Sequence, residues 1–227
     1  MDETIMTTQK TIKERLLALD TAAVSDALDS LYISGGLLGI KPQVSGKKIA
    51  GPAFTVQYEA CTPEKNRFMN AGNYIDQVPA RAVIVVDNGG RLDCTSWGNI
   101  LTTKAVQKKI AGSVIYGSAR DITDIRQMDY PLFSCNIYMV SGKNRARVKA
   151  VQCTLDIHGV TVCPGDWVFG DDNGVLVIPG EHLEEVIWRA ENVENTERQI
   201  LSTIDAGTPL DVARQQLGYD VPWENNV

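Results

Sequence analysis

The sequence is poor in histidine, with His158 and His182 the only two among 227 residues. Sites built on several histidines, such as HExxH zinc centres, are therefore excluded, and a Ser-His-Asp relay is disfavoured. His158 lies in LDIHGV beside a turn glycine and reads as structural or surface; His182 begins a helix and reads as solvated. The five cysteines (Cys61, Cys94, Cys135, Cys153, Cys163) form no CxxC pair, and an odd number cannot all pair within one chain. Reduced thiols used as core filling are expected, which points to the cytoplasm. Basic excess is missing too: the formal net charge is -6, the opposite of a phosphate-neutralising surface, so no nucleic acid or anionic membrane is expected as a partner. No apolar run approaches the roughly 20 residues that cross a bilayer, and MDETIMTTQKTIKERL lacks the basic end and apolar core of a secretory signal. Linkers, repeats and low-complexity stretches are absent as well, so residues 1–227 read as a single domain with a helical arm at 1–20 and helices at 181–227.

What is present alternates. A helix is expected over Thr11 to Leu17, and a second, capped by Asp20 or Thr21, carries Val24, Ala27, Leu28 and Leu31 at helical spacing and ends at Gly35-Gly36. KKIAGPAFTVQYEA alternates as a strand does, and AVIVVD (82–87) is a continuous apolar strand of the kind covered on both faces. ILTTKAVQKKI then reads as an amphipathic helix with Ile100, Leu101, Ala105 and Ile110 turned inward, and SVIY returns as a buried strand ending at Gly117. Such a strand-helix-strand crossover implies parallel neighbours. Short strands separated by glycine turns fill the second half, followed by a long helix from about Glu181 and a short one begun by Pro209. The fold class is α/β, a layered sandwich.

Acidic residues in unexpected places carry the chemistry. GSVIYGSARDITDI delivers Arg120 and Asp121 just beyond a buried strand, where open α/β sheets bind ligands. One Asp with waters and a chelating oxo acid suits a hard cation such as Mg²⁺, and Arg120 offers a charged fork to a carboxylate or enolate oxygen. A plain salt bridge at a helix start would use the same two residues. SWGNIL (96–101) opens the crossover helix, whose free N–H groups attract anions and whose Gly98 permits close approach. A substrate carboxylate can dock on Gly98, Asn99, Ile100 and Leu101; a Ser96 or Asn99 cap with Trp97 in the core is the other reading. In the long terminal helix the apolar stripe Leu183, Val186, Ile187, Ala190, Val193, Ile200, Leu201, Ile204 lands on Glu197, a carboxylate that needs a partner or a neighbouring subunit's site.

Together LDTAAVSDALDSL with GIKP, GPAFTV, AVIVVDNGG, SWGNIL, GSVIYGSARDITDI and NGVLVIP, in that order from about residue 19 to 180, resemble one family. It comprises the class II pyruvate aldolases that cleave 4-hydroxy-4-methyl-2-oxoglutarate, grouped with the regulator of ribonuclease E activity A. The resemblance implies a swivelling α-β-β-α sandwich of the phosphohistidine-domain type, assembled as a homotrimer or homohexamer through the C-terminal helices, with sites at subunit interfaces. It also implies Mg²⁺ or Mn²⁺ on Asp121, Asp124 as an outer acidic group at the metal, and Arg120 on the substrate and its enolate. The pyruvoyl carboxylate would rest on amides near Asn99 to Leu101, and Glu197 would come from the adjacent subunit. The implied reaction is retro-aldol cleavage of a small oxo acid, with oxaloacetate decarboxylation through the same enolate.

Asn99 departs from the pattern, since the aldolases commonly carry an acid after the Trp-Gly pair; this leaves the substrate open. Alternatives are a non-enzymatic regulator binding ribonuclease E, whose members lack the Asp of the Arg-Asp pair, and a lyase or hydratase acting on another oxo or sugar acid. A methyltransferase is not supported, because no glycine-rich nucleotide loop is followed by an acidic ribose ligand.

Overall fold

The computed structural model describes residues 11–62 and 72–223. The outermost part of the expected N-terminal arm, most of the stretch from Tyr58 to Met69 beyond β2 and the last four residues of the tail lie outside these. Helix α1 (Ile12–Ala18) starts at a capping box in which Thr11 and Glu14 satisfy each other's backbone N–H groups. Helix α2 (Thr21–Asp29) starts at Asp20, whose carboxylate accepts the Ala23 N–H at 2.8 Å. α2 ends well before the expected Gly35-Gly36, because Tyr32 turns left-handed (φ 58°) and breaks the helical path. Gly36 instead bridges Leu176 in extended conformation.

The strands are β1 (Lys41–Pro42), β2 (Ile49–Ala60), β3 (Val83–Asp87), β4 (Thr95–Trp97), β5 (Gly112–Ala119), β6 (Leu132–Ile137), β7 (Ala146–Val151), β8 (Leu155–Ile157), β9 (Val160–Val162), β10 (Trp167–Asp171) and β11 (Gly174–Ile178). Nine of them form one mixed sheet in the order β1-β6-β5-β3-β2-β10-β11, with β4 beside β5 and β7 beside β2; β8 and β9 make a separate hairpin. β2, β3, β5 and β6 are parallel neighbours, as the crossover pattern requires. β3 is buried along its whole length, and Val83 to Val86 read as an unbroken apolar run for that reason; β5 is nearly as buried but carries Ser113 and Ser118 within it. β5 passes Gly117 and continues to Ala119, two residues beyond its expected end, with a register shift against β6 between Ile115 and Ser118.

Between β4 and β5 runs α3 (Asn99–Gln107), and between β5 and β6 runs α4 (Ile122–Gln127), a short helix without an earlier counterpart in the sequence reading. Both helices cover one face of the sheet over a core containing Phe54, Ile84, Val86, Trp97, Ile115 and Ile125. α1, α2 and α5 (Leu183–Asp205) cover another, over Phe169, Leu176 and Ile178. A third core, with Val83, Val85, Val114 and Phe133, lies under the β8-β9 hairpin. α6 (Leu210–Gln216) follows Pro209 as expected.

Two inward faces are corrected. Ile100 is 77% exposed and Thr102 is buried in its place, while Leu101, Ala105 and Ile110 turn toward the core as expected, Ile110 from just beyond the end of α3. The Thr102 hydroxyl, accepting from Trp97 Nε1 at 2.9 Å and donating to Gly98 O at 3.0 Å, sets that rotation of the helix. In α5, Leu201 is exposed while Asn192 and Thr196 join the buried side. Phe169, fully buried where the sheet meets the helical layer, should be worth about 3–5 kcal/mol when cut to alanine. Urea denaturation of Phe169→Ala checks this, and a loss under about 1 kcal/mol would contradict the packing.

Candidate active site at the ends of β4 and β5

β4 and β5 run parallel and finish together: Trp97 lies opposite Ala119, and the Arg120 N–H donates to Trp97 O at 3.0 Å. Gly98 follows one strand, Arg120 and Asp121 the other, at the carboxyl ends where parallel sheets collect ligands. A Cβ on Gly98 would stand 2.6 Å from Asp121 Oδ2 and 3.3 Å from Arg120 Cγ. Glycine is required there by close approach, since its own backbone is extended.

Asp121 is left-handed (φ 59°, ψ 35°) and occupies the cap position of α4 without capping it through its side chain. That conformation costs an L-residue on the order of 1 kcal/mol, least for Asp and Asn, and such outliers cluster at functional sites. Here it turns the carboxylate onto the start of α3. Oδ2 accepts the Asn99 N–H at 3.0 Å and lies 3.5 Å from Arg120 Nε. The N–H groups of Ile100 and Leu101 meet no acceptor among the described residues.

Neither Ser96 nor Asn99 serves as the side-chain cap. Ser96 is 6% exposed and its hydroxyl has no hydrogen-bond partner among the described residues. The Asn99 amide donates instead to Asp124 Oδ2 at 2.9 Å. Trp97 is buried, as the plainer reading of SWGNIL had it.

These groups enclose a cavity of about 170 Å³, lined by Gly72, residues 95–101, Arg120, Asp121 and residues 141–143. That is below the roughly 300–1,000 Å³ of sites that enclose drug-sized ligands, and so suits a small metabolite. A second, open cleft of about 560 Å³, lined by residues 120–124 and 137–139, shares Arg120 and Asp121 with it. Asp124 lies in this second cleft. Gly98, Asn99, Ile100, Leu101, Arg120 and Asp121 thus come together, with Asp124 one hydrogen bond away.

Glu197 does not join them within the protomer. It lines a separate cavity of about 280 Å³ between α2, α5 and the C-terminal segment, beside Asp26, Asp29 and Asp220. Burial pushes its carboxyl up, and Asp20, Asp26 and Glu194 add to the shift. Burial raises Asp26 as well, with Asp29 and Asp20 contributing. The sequence reading passed over Asp26 because it followed only the apolar stripe of α2. Lys143 and Ser141 were missed too, since a loop carries no periodicity to mark them.

Among the described residues no group of three or more His, Cys, Asp or Glu side chains gathers as a metal cage. Asp121 Oδ1 has no hydrogen-bond partner among the described residues. No described helix is long and apolar enough to cross a membrane, and the five cysteines are free thiols.

The profile of the family described as RraA-like, Aldolase/RraA, matches residues 21–177. The chain belongs to the RraA-like family. DlpA of Legionella pneumophila is 47% identical over 216 residues, covering 95% of this chain but only 35% of that protein, so the RraA-like chain spans about a third of that relative. A protein of Halalkalibacterium halodurans, provisionally named 4-hydroxy-4-methyl-2-oxoglutarate aldolase, is 31% identical over 174 residues, 76% of this chain and 78% of its own. The crystal structure of an uncharacterised protein from Pseudomonas syringae pv. tomato superposes with a TM-score of 0.82 at 48% identity, over 89% of this chain and 96% of that one. RraAS2 of Streptomyces coelicolor, titled an unusual member of the RNase ES inhibitor RraA family, reaches 0.73 at 24% identity over 82% and 93%, a likeness of fold.

Two outcomes follow for this RraA-like chain. Gly98→Ala should push the Asp121 carboxylate off the Asn99 N–H, read as faster hydrogen exchange of that amide; unchanged protection would contradict the close approach. For Glu197, a raised folded-state pKa means that the proton is held more tightly when folded. The group therefore favours folding below its ordinary value of 4.5 and loses that contribution as pH rises through the folded value. Glu197→Gln should be more stable than wild type at pH 7 in urea titrations, with the gain shrinking below that value. A destabilised variant at pH 7 would mean that a cation meets the carboxylate.

Proposed function

We propose that this chain is a divalent-metal-dependent carbon–carbon lyase that cleaves a 4-hydroxy-2-oxo acid, such as 4-hydroxy-4-methyl-2-oxoglutarate, to pyruvate. One observation carries the reading: Asp121 and Arg120 are turned onto the amide-rich start of α3 inside one small cavity. The name given to the H. halodurans relative agrees with it.

The residues present fit a hard cation of the Mg²⁺ or Mn²⁺ kind, which keeps several waters and needs few protein ligands. Asp121 would hold it through Oδ1. Asp124, whose Oδ2 already receives the Asn99 amide, fits an outer place that orders metal-linked water. When bound, the cation would supply Lewis-acid polarisation of the 2-oxo acid.

The chain's own groups divide the remaining work. The N–H groups of Ile100 and Leu101 receive the substrate carboxylate at the positive end of α3. Arg120 donates to the oxygen on which enolate charge develops, an interaction that strengthens toward the transition state. A carboxylate accepts the C4 hydroxyl proton as the C3–C4 bond breaks, its electrons pass to the enolate, and protonation at C3 releases pyruvate. Glu197 of an adjacent copy is our candidate for that base. Its raised pKa, beside Asp26 on a helix surface away from the protomer's own cavity, suits a group completed by assembly.

This reading carries a homotrimer or homohexamer with interface sites, the swivelling α-β-β-α layering, a cytoplasmic setting and oxaloacetate decarboxylation as a side activity. Helices on two sides of the sheet, in separate cores, support the layering. Pyruvate release from 4-hydroxy-4-methyl-2-oxoglutarate and from oxaloacetate tests the reading. It should require Mg²⁺ or Mn²⁺, vanish with chelator and in Asp121→Ala, and fall about 10²–10³-fold in kcat for Arg120→Ala. Failure of both substrates with every divalent metal would overturn the assignment.

A further inference from the structure

The cavity between α2, α5 and the segment after α6 holds about 280 Å³ and charge of one sign. Asp26 and Asp29 line it from α2, Glu197 from α5 and Asp220 from the C-terminal segment; among the described residues no lysine, arginine or histidine shares the lining. None of the four carboxylates has a hydrogen bond or ion pair among the described residues. Burial pushes Asp26 and Glu197 up, and Asp26 itself adds to the shift of Glu197, so the two face each other across the helices. Asp220 acts on neither and stands apart. The segment that closes the cavity is built in. Trp223 packs on the core of that layer with the Arg189 guanidinium 5.2 Å from its ring, and the Arg214 guanidinium lies 4.7 Å from the ring of Tyr219. Arg189 is itself held by Glu185 at 2.7 Å and by Ser30 Oγ at 3.0 Å, so it does not answer the acids of the cavity.

An uncharged group in the same lining points to an occupant. Thr196 is only 7% exposed, and the surface it keeps is cavity wall. Its hydroxyl has no hydrogen-bond partner among the described residues, whereas Thr203 on the same helix donates to Gln199 O at 2.8 Å. Buried hydroxyls are nearly always paired, and this one is left for a ligand that can donate to it. The acids do not converge: among the described residues no three of them gather closely enough to hold a metal ion. Val193, Pro222 and Trp223 add apolar wall, which a hydrated metal ion would not use and a hydrocarbon chain would. Separated carboxylates and apolar wall in one cavity call for a cation at each end of a short aliphatic chain.

We propose that this cavity is a binding site for a short aliphatic diammonium ion, one end lying between Asp26 and Glu197 and donating to the Thr196 hydroxyl, the other meeting Asp220. The site lies apart from Arg120 and Asp121, so the inference goes beyond the lyase reading and does not depend on it. While bound, the diammonium would withhold Glu197 from any other task. Asp26 and Asp220 are solvent-exposed, so each contributes as a screened ion pair, and the affinity falls with added salt.

Calorimetric titration of the full chain at pH 7 and low salt with 1,4-diaminobutane, n-butylamine and MgCl₂ tests the proposal; alkylamines, like lysine, are protonated there. The diamine should saturate a single site per chain, n-butylamine should bind about fivefold or more weakly, and Mg²⁺ at matched ionic strength should not displace the diamine. Asp26→Asn, Glu197→Gln and Asp220→Asn should each weaken the diamine about three- to tenfold, and Asp205→Asn, an exposed acid of α5 outside the cavity, by less than about twofold. Thr196→Val should weaken it about two- to fivefold without lowering Tm, since no protein hydrogen bond is lost. Absence of saturable binding by wild type below about 10 mM, displacement by Mg²⁺, equal binding of the monoamine, unchanged binding in Thr196→Val, or a loss in Asp205→Asn as large as in the lining acids overturns the proposal. Failure of the lyase reading would show in pyruvate release alone and leave these titrations unchanged.

Discussion

The carboxylate of Asp121 does for α3 what no side chain in α3's own sequence does: it caps the first turn. Three features depend on that contact. Gly98 must lack a side chain, Asp121 must adopt a left-handed backbone, and β4 and β5 must end at the same level, which the Arg120–Trp97 backbone hydrogen bond secures. Because one carboxylate oxygen satisfies only one of the orphan amides, the next two remain open to a ligand. The contact that stabilises the turn thus also leaves it able to bind an anion, and it sets Arg120 beside that anion's place.

Asn99 has its meaning within the same arrangement. Its backbone N–H meets Asp121 while its side chain meets Asp124, so a single residue joins the two aspartates across the boundary between adjoining clefts. An acid at this position would set its side chain against the Asp124 carboxylate. The amide lowers the negative charge available to a cation and fixes Asp124 in return. On the far side of the molecule, Glu197 and Asp26 are carboxylates whose protonated forms are favoured by burial and by their acidic neighbours.

Much of this was legible in the sequence because it depends on local pattern. The apolar run at 82–87, the glycine-bounded crossover and the position of Arg120-Asp121 after a buried strand follow from periodicity and turn chemistry. What escaped depends on approach between distant segments. Ile100 was placed inward by helical spacing, yet the Thr102 hydroxyl fixes the rotation of α3 by bonding to Trp97 and Gly98. Tyr32 ends α2 early through a left-handed turn that no breaker residue announces. Lys143 reaches the cavity because Gly142 passes β4 too closely for any side chain, a tertiary fact with no signature in SGKNR. The partner of Asp124 also escaped, since Asn99 lies 25 residues away in sequence.

The central claim is that Asp121, Arg120 and the start of α3 together stabilise an enolate of pyruvate. Exchange of the pyruvate methyl protons in D₂O, followed by proton NMR, tests it independently of the aldol substrate. The account predicts loss of the methyl signal with enzyme and Mg²⁺ or Mn²⁺, no loss with chelator, and none in Asp121→Ala. A methyl signal that stays constant with wild-type enzyme and every divalent metal would contradict it.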